Sequence, residues 1–177
     1  MSSLIKILAI SGSTRKDSSN FKLLKYISGQ LKSKFEFEIF EDLDKLPHFN
    51  PDLDTDNPPK EIISFRNKII NADGVVVCTP EYVFSLPGSL KNALEWLVST
   101  TIFSGKETGL VTASASGEKG HEQLLLIMKT LEAKFDSKTE LLIQGVRGKI
   151  SSEGKITDEQ TVVALQNFIN NFESHFL

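Results

Sequence analysis

The sequence predicts a doubly wound α/β domain, with five parallel strands in the order 2-1-3-4-5 and helices on both faces of the sheet. Three observations carry that expectation. Strand-like and helix-like segments alternate five times along 177 residues. The runs Ile5–Ile10 and Val75–Cys78 are almost wholly apolar, as strands covered on both faces are. Phe35–Phe40 instead alternates apolar with acidic, as an edge strand wetted on one face does. The two most unusual polar loops follow the two apolar strands, and this strand order brings the carboxyl ends of those strands together at the topological switch point.

The first strand empties into Ser11-Gly12-Ser13-Thr14-Arg15-Lys16-Asp17-Ser18-Ser19-Asn20, after which Leu23, Leu24, Ile27 and Leu31 recur at helical spacing. Beyond the edge strand, Glu41 to Asn57 is acidic, broken by Pro47 and Pro51, and reads as a long connection. Pro58-Pro59 opens a second helix whose packing face is Ile62, Ile63, Phe65, Ile69 and Ile70. The third strand delivers the chain into Thr79–Gly88, and a third helix carries Leu90, Ala93, Leu94 and Leu97 on one stripe. Thr108 to Ala115 is the fourth strand and Ser116-Gly117-Glu118-Lys119-Gly120 a third loop. Leu124, Ile127, Met128, Leu131 and Phe135 mark the fourth helix. Leu141-Leu142-Ile143 begins the fifth strand, and Thr157-Asp158-Glu159 caps a last helix with Val162, Val163, Leu165, Ile169, Phe172 and Phe176. No internal repeat divides the series, so residues 1–177 are expected to form a single domain.

A formal charge of −3 without any basic cluster argues against nucleic acid or an anionic membrane as partner. No apolar run approaches the ~20 residues of a membrane helix. Cys78 is the only cysteine, so no intrachain disulfide can form. The chain also begins without a leader pattern, and a cytoplasmic location is expected. Within its strand Cys78 is expected to behave as a small buried hydrophobe. His48, His121 and His175 lack metal-ligand spacing, so no metal site is expected.

The first loop is the strongest chemical signal in the chain. Hydroxyls at Ser11, Ser13, Thr14, Ser18 and Ser19, the Arg15 guanidinium and a helix N-terminus just beyond offer an anion many donors at once. Neither Gly-x-x-x-x-Gly-Lys-Ser/Thr nor Gly-x-Gly-x-x-Gly is present, which makes a single terminal phosphate a better fit than a di- or triphosphate. The same residues also suit a hydrophilic turn with a serine cap.

Gly12-Ser13-Thr14-Arg15 with Ser18 and Asn20 forms the first of two telling stretches. The second is Pro80-Glu81-Tyr82-x-x-Ser85-x-Pro87-Gly88-x-Leu90-Lys91-Asn92-Ala93-Leu94-Glu95-Trp96. Together they resemble the NADPH-dependent FMN reductase family, whose flavodoxin-like members include quinone, azo-dye and chromate reductases. Leu46-Pro47-x-x-Asn50-x-Asp52-Leu53, Ala72-Asp73 and Gly154-Lys155-Ile156-Thr157-Asp158 extend the similarity over nearly the whole chain. The resemblance implies an FMN phosphate held by Ser11, Ser13, Arg15, Ser18, Ser19 and Asn20. It implies an isoalloxazine along Pro80, Glu81, Tyr82 and Val83, with Ser116 and Gly117 at its far side. Two features depart from the family pattern: Val83 stands where Asn is usual, and Glu118 and Lys119 separate Gly117 from Gly120 in the third loop.

The implied activity is a relay in which NADPH or NADH reduces bound FMN, leaves, and is replaced by a small acceptor such as a quinone, a flavin, an azo compound or a metal oxyanion. No side chain is required as catalytic acid, base or nucleophile, and Glu81 is expected to orient its loop. A flavodoxin-type electron carrier and a flavin-binding module that does not oxidise pyridine nucleotides are the alternatives. A homodimer or homotetramer is expected as well. Trp96 falls about 110° from the centre of the Leu90–Leu97 stripe and so calls for another surface, which Val83, Phe84 and Phe103 would extend into an apolar patch covered by a second subunit.

Overall fold

A computed structural model describes residues 4–176. Its elements run β1 (Ile5–Ser11), α1 (Ser19–Gln30), β2 (Phe35–Phe40), α2 (Lys60–Asn71), β3 (Gly74–Thr79), α3 (Gly88–Glu95), β4 (Glu107–Ser114), α4 (Glu118–Thr130), β5 (Glu140–Gln144) and α5 (Glu159–Ser174). The strands form one sheet in the order β2-β1-β3-β4-β5, with every pairing parallel. β3 lies at the centre and is buried at every position, while β2 at the edge hides only Phe40 completely.

Alternation along the strands sorts side chains into two cores. Leu8, Ile10, Val75, Val77 and Leu110 face α2, α3 and α4, which return Ile62, Phe65, Ile69, Leu90, Leu94, Leu124 and Met128. Ile7, Ala9, Val76, Cys78, Val111 and Ala113 face α1 and α5, which contribute Leu23, Leu24, Ile27, Leu165, Phe168, Ile169 and Phe172. Two glycines permit this closeness. A methyl at Gly109 would come within 2.7 Å of the Phe168 ring, and one at Gly74 within 2.5 Å of Phe176.

Several elements differ in detail from the sequence-based expectation. Pro59 is the N-cap of α2, whose buried stripe is Ile62, Phe65 and Ile69. Ile63 and Ile70 lie on its flanks in water, because five isoleucine and phenylalanine positions span more arc than one sheet face can cover. Val163 is exposed on α5 for the same reason, and Phe135 lies beyond the end of α4. Glu118 and Lys119 are not a loop insertion. They form the first turn of α4, which starts directly after Gly117.

The largest departure concerns α3. Trp96 and Phe103 are fully buried within the chain, so neither belongs to a surface patch. The Trp96 ring packs edge-on to Phe49, 5.1 Å between centroids, in the long connection. Asn92, one turn earlier on α3, accepts from the Phe49 amide at 2.7 Å and donates to the Pro47 carbonyl at 3.0 Å. Arg66 of α2 completes the clamp, donating to the Trp96 carbonyl and pairing with Asp54 at 2.7 Å. This physical link joins the Pro47–Leu53 and Lys91–Trp96 stretches, which lie far apart in sequence.

Candidate functional site

The loops after β1, β3 and β4 meet at the carboxyl end of the sheet. The Gly12 amide donates to the Cys78 carbonyl at 2.8 Å, which locks the base of the first loop to the end of β3. A side chain at position 12 would overlap the Thr79 hydroxyl, so only glycine allows the two loops to lie this close.

Within the first loop, hydroxyls first order the backbone. Ser18 caps α1 by accepting from the Phe21 amide at 3.1 Å, and Ser13 accepts from the Arg15 amide at 3.3 Å. A hydroxyl that accepts one amide still has its own proton to donate, so both remain able to meet an anion. Ser11 gives its proton to the Ser13 carbonyl. Asn20 is held at both ends: its amide nitrogen donates to the Ala113 carbonyl at 3.2 Å, and its oxygen accepts from Cys78 Sγ at 3.3 Å. Ser11 and Asn20 therefore brace the loop from below. Arg15 is exposed and, among the described residues, in no ion pair, while Ser19 opens α1 with an amide that the helix itself does not use. The loop borders an open cleft of about 310 Å³ closed on its other side by Phe40–Lys45. Lys22 anchors the rear of the loop, 3.2 Å from Asp17 and 2.8 Å from the Ser152 carbonyl.

The second loop is a two-residue hairpin. Tyr82 and Ser85 exchange backbone hydrogen bonds at 2.9 and 3.0 Å, and the two residues between them have positive φ, 51° at Val83 and 57° at Phe84. Paired positive φ values are the mark of a type I′ turn, which prefers Asn-Gly and strains a β-branched residue. The turn thrusts apolar side chains into water, Val83 being 93% and Phe84 73% exposed, with Tyr82 half exposed beside them. Gln123 of α4 braces it, accepting from the Ser85 hydroxyl at 2.6 Å and donating to the Phe84 carbonyl at 3.2 Å. Nothing in the local sequence around Gln123 signals that role, because its partners lie 38 and 39 residues away.

Glu81 joins the second loop to the third. One carboxylate oxygen accepts from the Gly120 amide at 2.8 Å and the other from the Gly117 amide at 3.3 Å, so the side chain caps α4 from outside its own segment. Gly120 leaves room for it, since a methyl there would lie 3.1 Å from Glu81 Cβ. The Ser114 hydroxyl donates to the Glu81 carbonyl at 3.3 Å, while Pro80 is buried beneath and Ser116 is exposed at the rim. His121, on the next position of α4, shares a hydrogen bond of 2.9 Å with Thr112, and burial pushes its pKa down. Burial also pushes up the pKa of the Cys78 thiol.

The expected residues lie in or beside these three joined loops: Ser13, Arg15, Ser18 and Ser19 in the first, with Ser11 and Asn20 bracing it, Pro80–Val83 in the second, and Ser116 and Gly117 in the third. Hydroxyl, guanidinium and amide donors occur at Ser13, Arg15, Ser18 and Ser19 of the first loop, and an apolar surface stands at Tyr82 and Val83 of the second. The arrangement fits FMN: a monophosphate end suits the first loop and a flat ring suits the second.

Comparison with known proteins points the same way. A family model described as NADPH-dependent FMN reductase matches residues 5–146. The chain is 31% identical to 2-hydroxy-1,4-benzoquinone reductase from a Burkholderia species, over 95% of this chain and 94% of that protein. It is 30% identical to NADPH:quinone oxidoreductase from Arabidopsis thaliana, over 98% and 93%. Among solved structures it resembles FerB, a flavoenzyme NAD(P)H:(acceptor) oxidoreductase from Paracoccus denitrificans, with TM-score 0.82 and 29% identity over 96% and 95% of the two chains.

Proposed function

The chain belongs to the NADPH-dependent FMN reductase family, and from that premise we propose that its three joined loops hold FMN and carry electrons from NADPH or NADH to small acceptors of the quinone type. The observation that carries the reading is the convergence of a phosphate-sized donor loop and an exposed apolar turn at the switch point of the sheet. FMN, when bound, supplies the two-electron chemistry.

The chain's own residues bind and orient. Ser13, Arg15, Ser18 and Ser19 meet the phosphate, Ser11 and Asn20 hold the loop that presents them, and Pro80, Tyr82 and Val83 lie along the ring with Ser116 and Gly117 at its far edge. Val83 packs without offering a side-chain hydrogen bond, so polar contacts in this loop come from the backbone. No side chain need move a proton. Residues 1–177 act as one FMN-binding domain, and a reducing cytoplasm suits a chain whose lone cysteine is buried. A second copy covers the Val83–Phe84 turn, whose apolar side chains stand in water in a single chain.

Anaerobic stopped-flow mixing of the FMN-loaded protein with NADPH and with NADH tests the reading. Flavin bleaching at least as fast as turnover, with parallel initial-rate lines for a ping-pong sequence, is the expected result. A flavin that dithionite reduces but neither nicotinamide does would instead identify an electron carrier or a flavin-binding module.

A further inference from the structure

Glu81 is placed to do more than join two loops. It sits on the turn that we assign to the flavin ring, yet both its carboxylate oxygens are turned onto the amino end of α4, at Gly117 and Gly120. α4 is 13 residues long, so its first-turn amides and aligned peptides concentrate positive charge at that end. Gly117 is also the residue expected at the far edge of the ring. The end of α4 is thus a ready stabiliser for the negative charge that two-electron reduction places on a flavin, and Glu81 occupies it first.

We propose that Glu81 is a positioning residue that sets the reducing power of the bound flavin: by neutralising the amino end of α4 it withholds that positive end from the reduced ring. The inference rests on the FMN reading above. It explains why a carboxylate, and not a neutral cap, stands at this point of an electron-donating site. A Ser or Thr would satisfy one amide but leave the helix end positive. It also explains the compact Gly120, which lets the side chain reach across. The electron balance is that of the proposed reaction. Hydride from the nicotinamide brings two electrons and one proton to the flavin, whose net charge becomes more negative by one; the acceptor later removes both electrons and that proton, and a quinone takes its second proton from solvent.

The test compares the midpoint potential of bound FMN in wild type and Glu81→Gln by equilibration with redox dyes, alongside the affinity of each protein for oxidised FMN. Gln keeps the shape but removes the charge. The expected result is that the variant favours reduced over oxidised FMN at least tenfold more than wild type does, a rise of about 30 mV for a two-electron couple. A role confined to holding the loops would weaken oxidised and reduced FMN alike. Weaker binding at an unchanged potential therefore overturns the proposal, and so does a fall in potential. Glu118→Gln provides a comparison, because that carboxylate starts the same helix but accepts from Gln144 at 3.2 Å in an exposed position. An equal rise there would deny Glu81 its special role. Should Glu81→Gln not fold, Glu81→Asp draws the carboxylate back from both amides by one methylene and carries the same criterion: a rise supports the proposal and no shift overturns it. A wild-type chain that takes up no FMN defeats the function reading and this one with it, whereas FMN-loaded proteins of equal potential defeat only this one.

Discussion

The indole N–H of Trp96 donates to the Pro47 carbonyl at 2.8 Å, so the end of α3 is fastened to a connection 49 residues earlier in the chain. The same carbonyl also accepts from Asn92, and the Phe49 ring closes over the indole. Trp96→Phe removes the donor and leaves unfilled space beside Phe49. It should lower stability by ~2 kcal/mol, read as a reduced urea midpoint at unchanged slope. An unaltered midpoint would mean that this contact does not hold the connection in place.

Arg15 is an exposed cation of the first loop, and it takes part in none of the described ion pairs. Arg15→Ala removes a charge-assisted donor whose loss commonly costs ~1.5–3 kcal/mol, so FMN binding should weaken well over fivefold while riboflavin, which lacks the phosphate, is almost unaffected. Titration of flavin fluorescence distinguishes the two. Equal weakening of both ligands would remove Arg15 from the phosphate site.

The burial of His121 gives the protein a pH dependence with a definite sign. Desolvation lowers the folded pKa of His121, so between that value and the unfolded pKa near 6.5 the unfolded chain binds more protons than the folded one. Stability should therefore fall as pH drops below about 6.5 and level off, for this group, once the folded protein also takes up its proton. His121→Gln can keep a hydrogen bond to Thr112 without titrating, and it should flatten the slope of urea midpoint against pH in that window. An identical slope in the variant would place the dependence elsewhere.

Val83 bears a cost that its turn explains. A β-branched residue at φ 51° in a two-residue hairpin is strained by ~1 kcal/mol or more, and its side chain meets water instead of protein. Val83→Asn supplies a residue at home in this turn and should raise the melting temperature of the flavin-free protein. A lower melting temperature would show that neighbours compensate the strain.

How much of this was legible in the sequence depends on how far each interaction reaches. The central strand was plain, because Val75–Cys78 carry both faces' burial in consecutive residues, and the edge strand was plain from the alternation in Phe35–Phe40. The strand order followed from those two assignments. Helical periodicity sets Trp96 off the core because it describes only the surface that α3 presents to the sheet, whereas the Pro47–Phe49 segment that covers its flank is irregular and has no period to read. Bracketing glycines give Glu118 and Lys119 the pattern of loop residues. The cap that lets α4 start there comes from Glu81, 36 and 39 residues away. The donor-rich first loop stands out by composition, but which of its hydroxyls hold the backbone depends on hydrogen bonds that composition does not specify.

With Trp96 and Phe103 in the core, the expectation of a dimer rests on the turn alone, and the turn makes a narrower prediction. Val83 and Phe84 are adjacent, apolar and largely in water, at a strained tip where Asn-Gly would cost less. Leaving two such side chains exposed gains nothing for an isolated chain. Seated against a second copy they would bury apolar surface and place a wall beside Tyr82 and Val83, the residues proposed to lie along the ring. The homodimer should therefore depend on Phe84 and not on Trp96. Phe84→Glu alters a solvent-facing side chain, so the fold should survive, while a buried charge at the subunit contact should weaken the dimer at least a hundredfold. FMN affinity should fall with it, since each pocket loses the wall its neighbour provides. Sedimentation velocity across a micromolar concentration series, with flavin titration on the same samples, reads both effects. A wild-type monomer at these concentrations ends the idea, as does a Phe84→Glu dimer as tight as wild type. A variant that becomes monomeric yet binds FMN unchanged would keep the dimer but place its interface away from the ring.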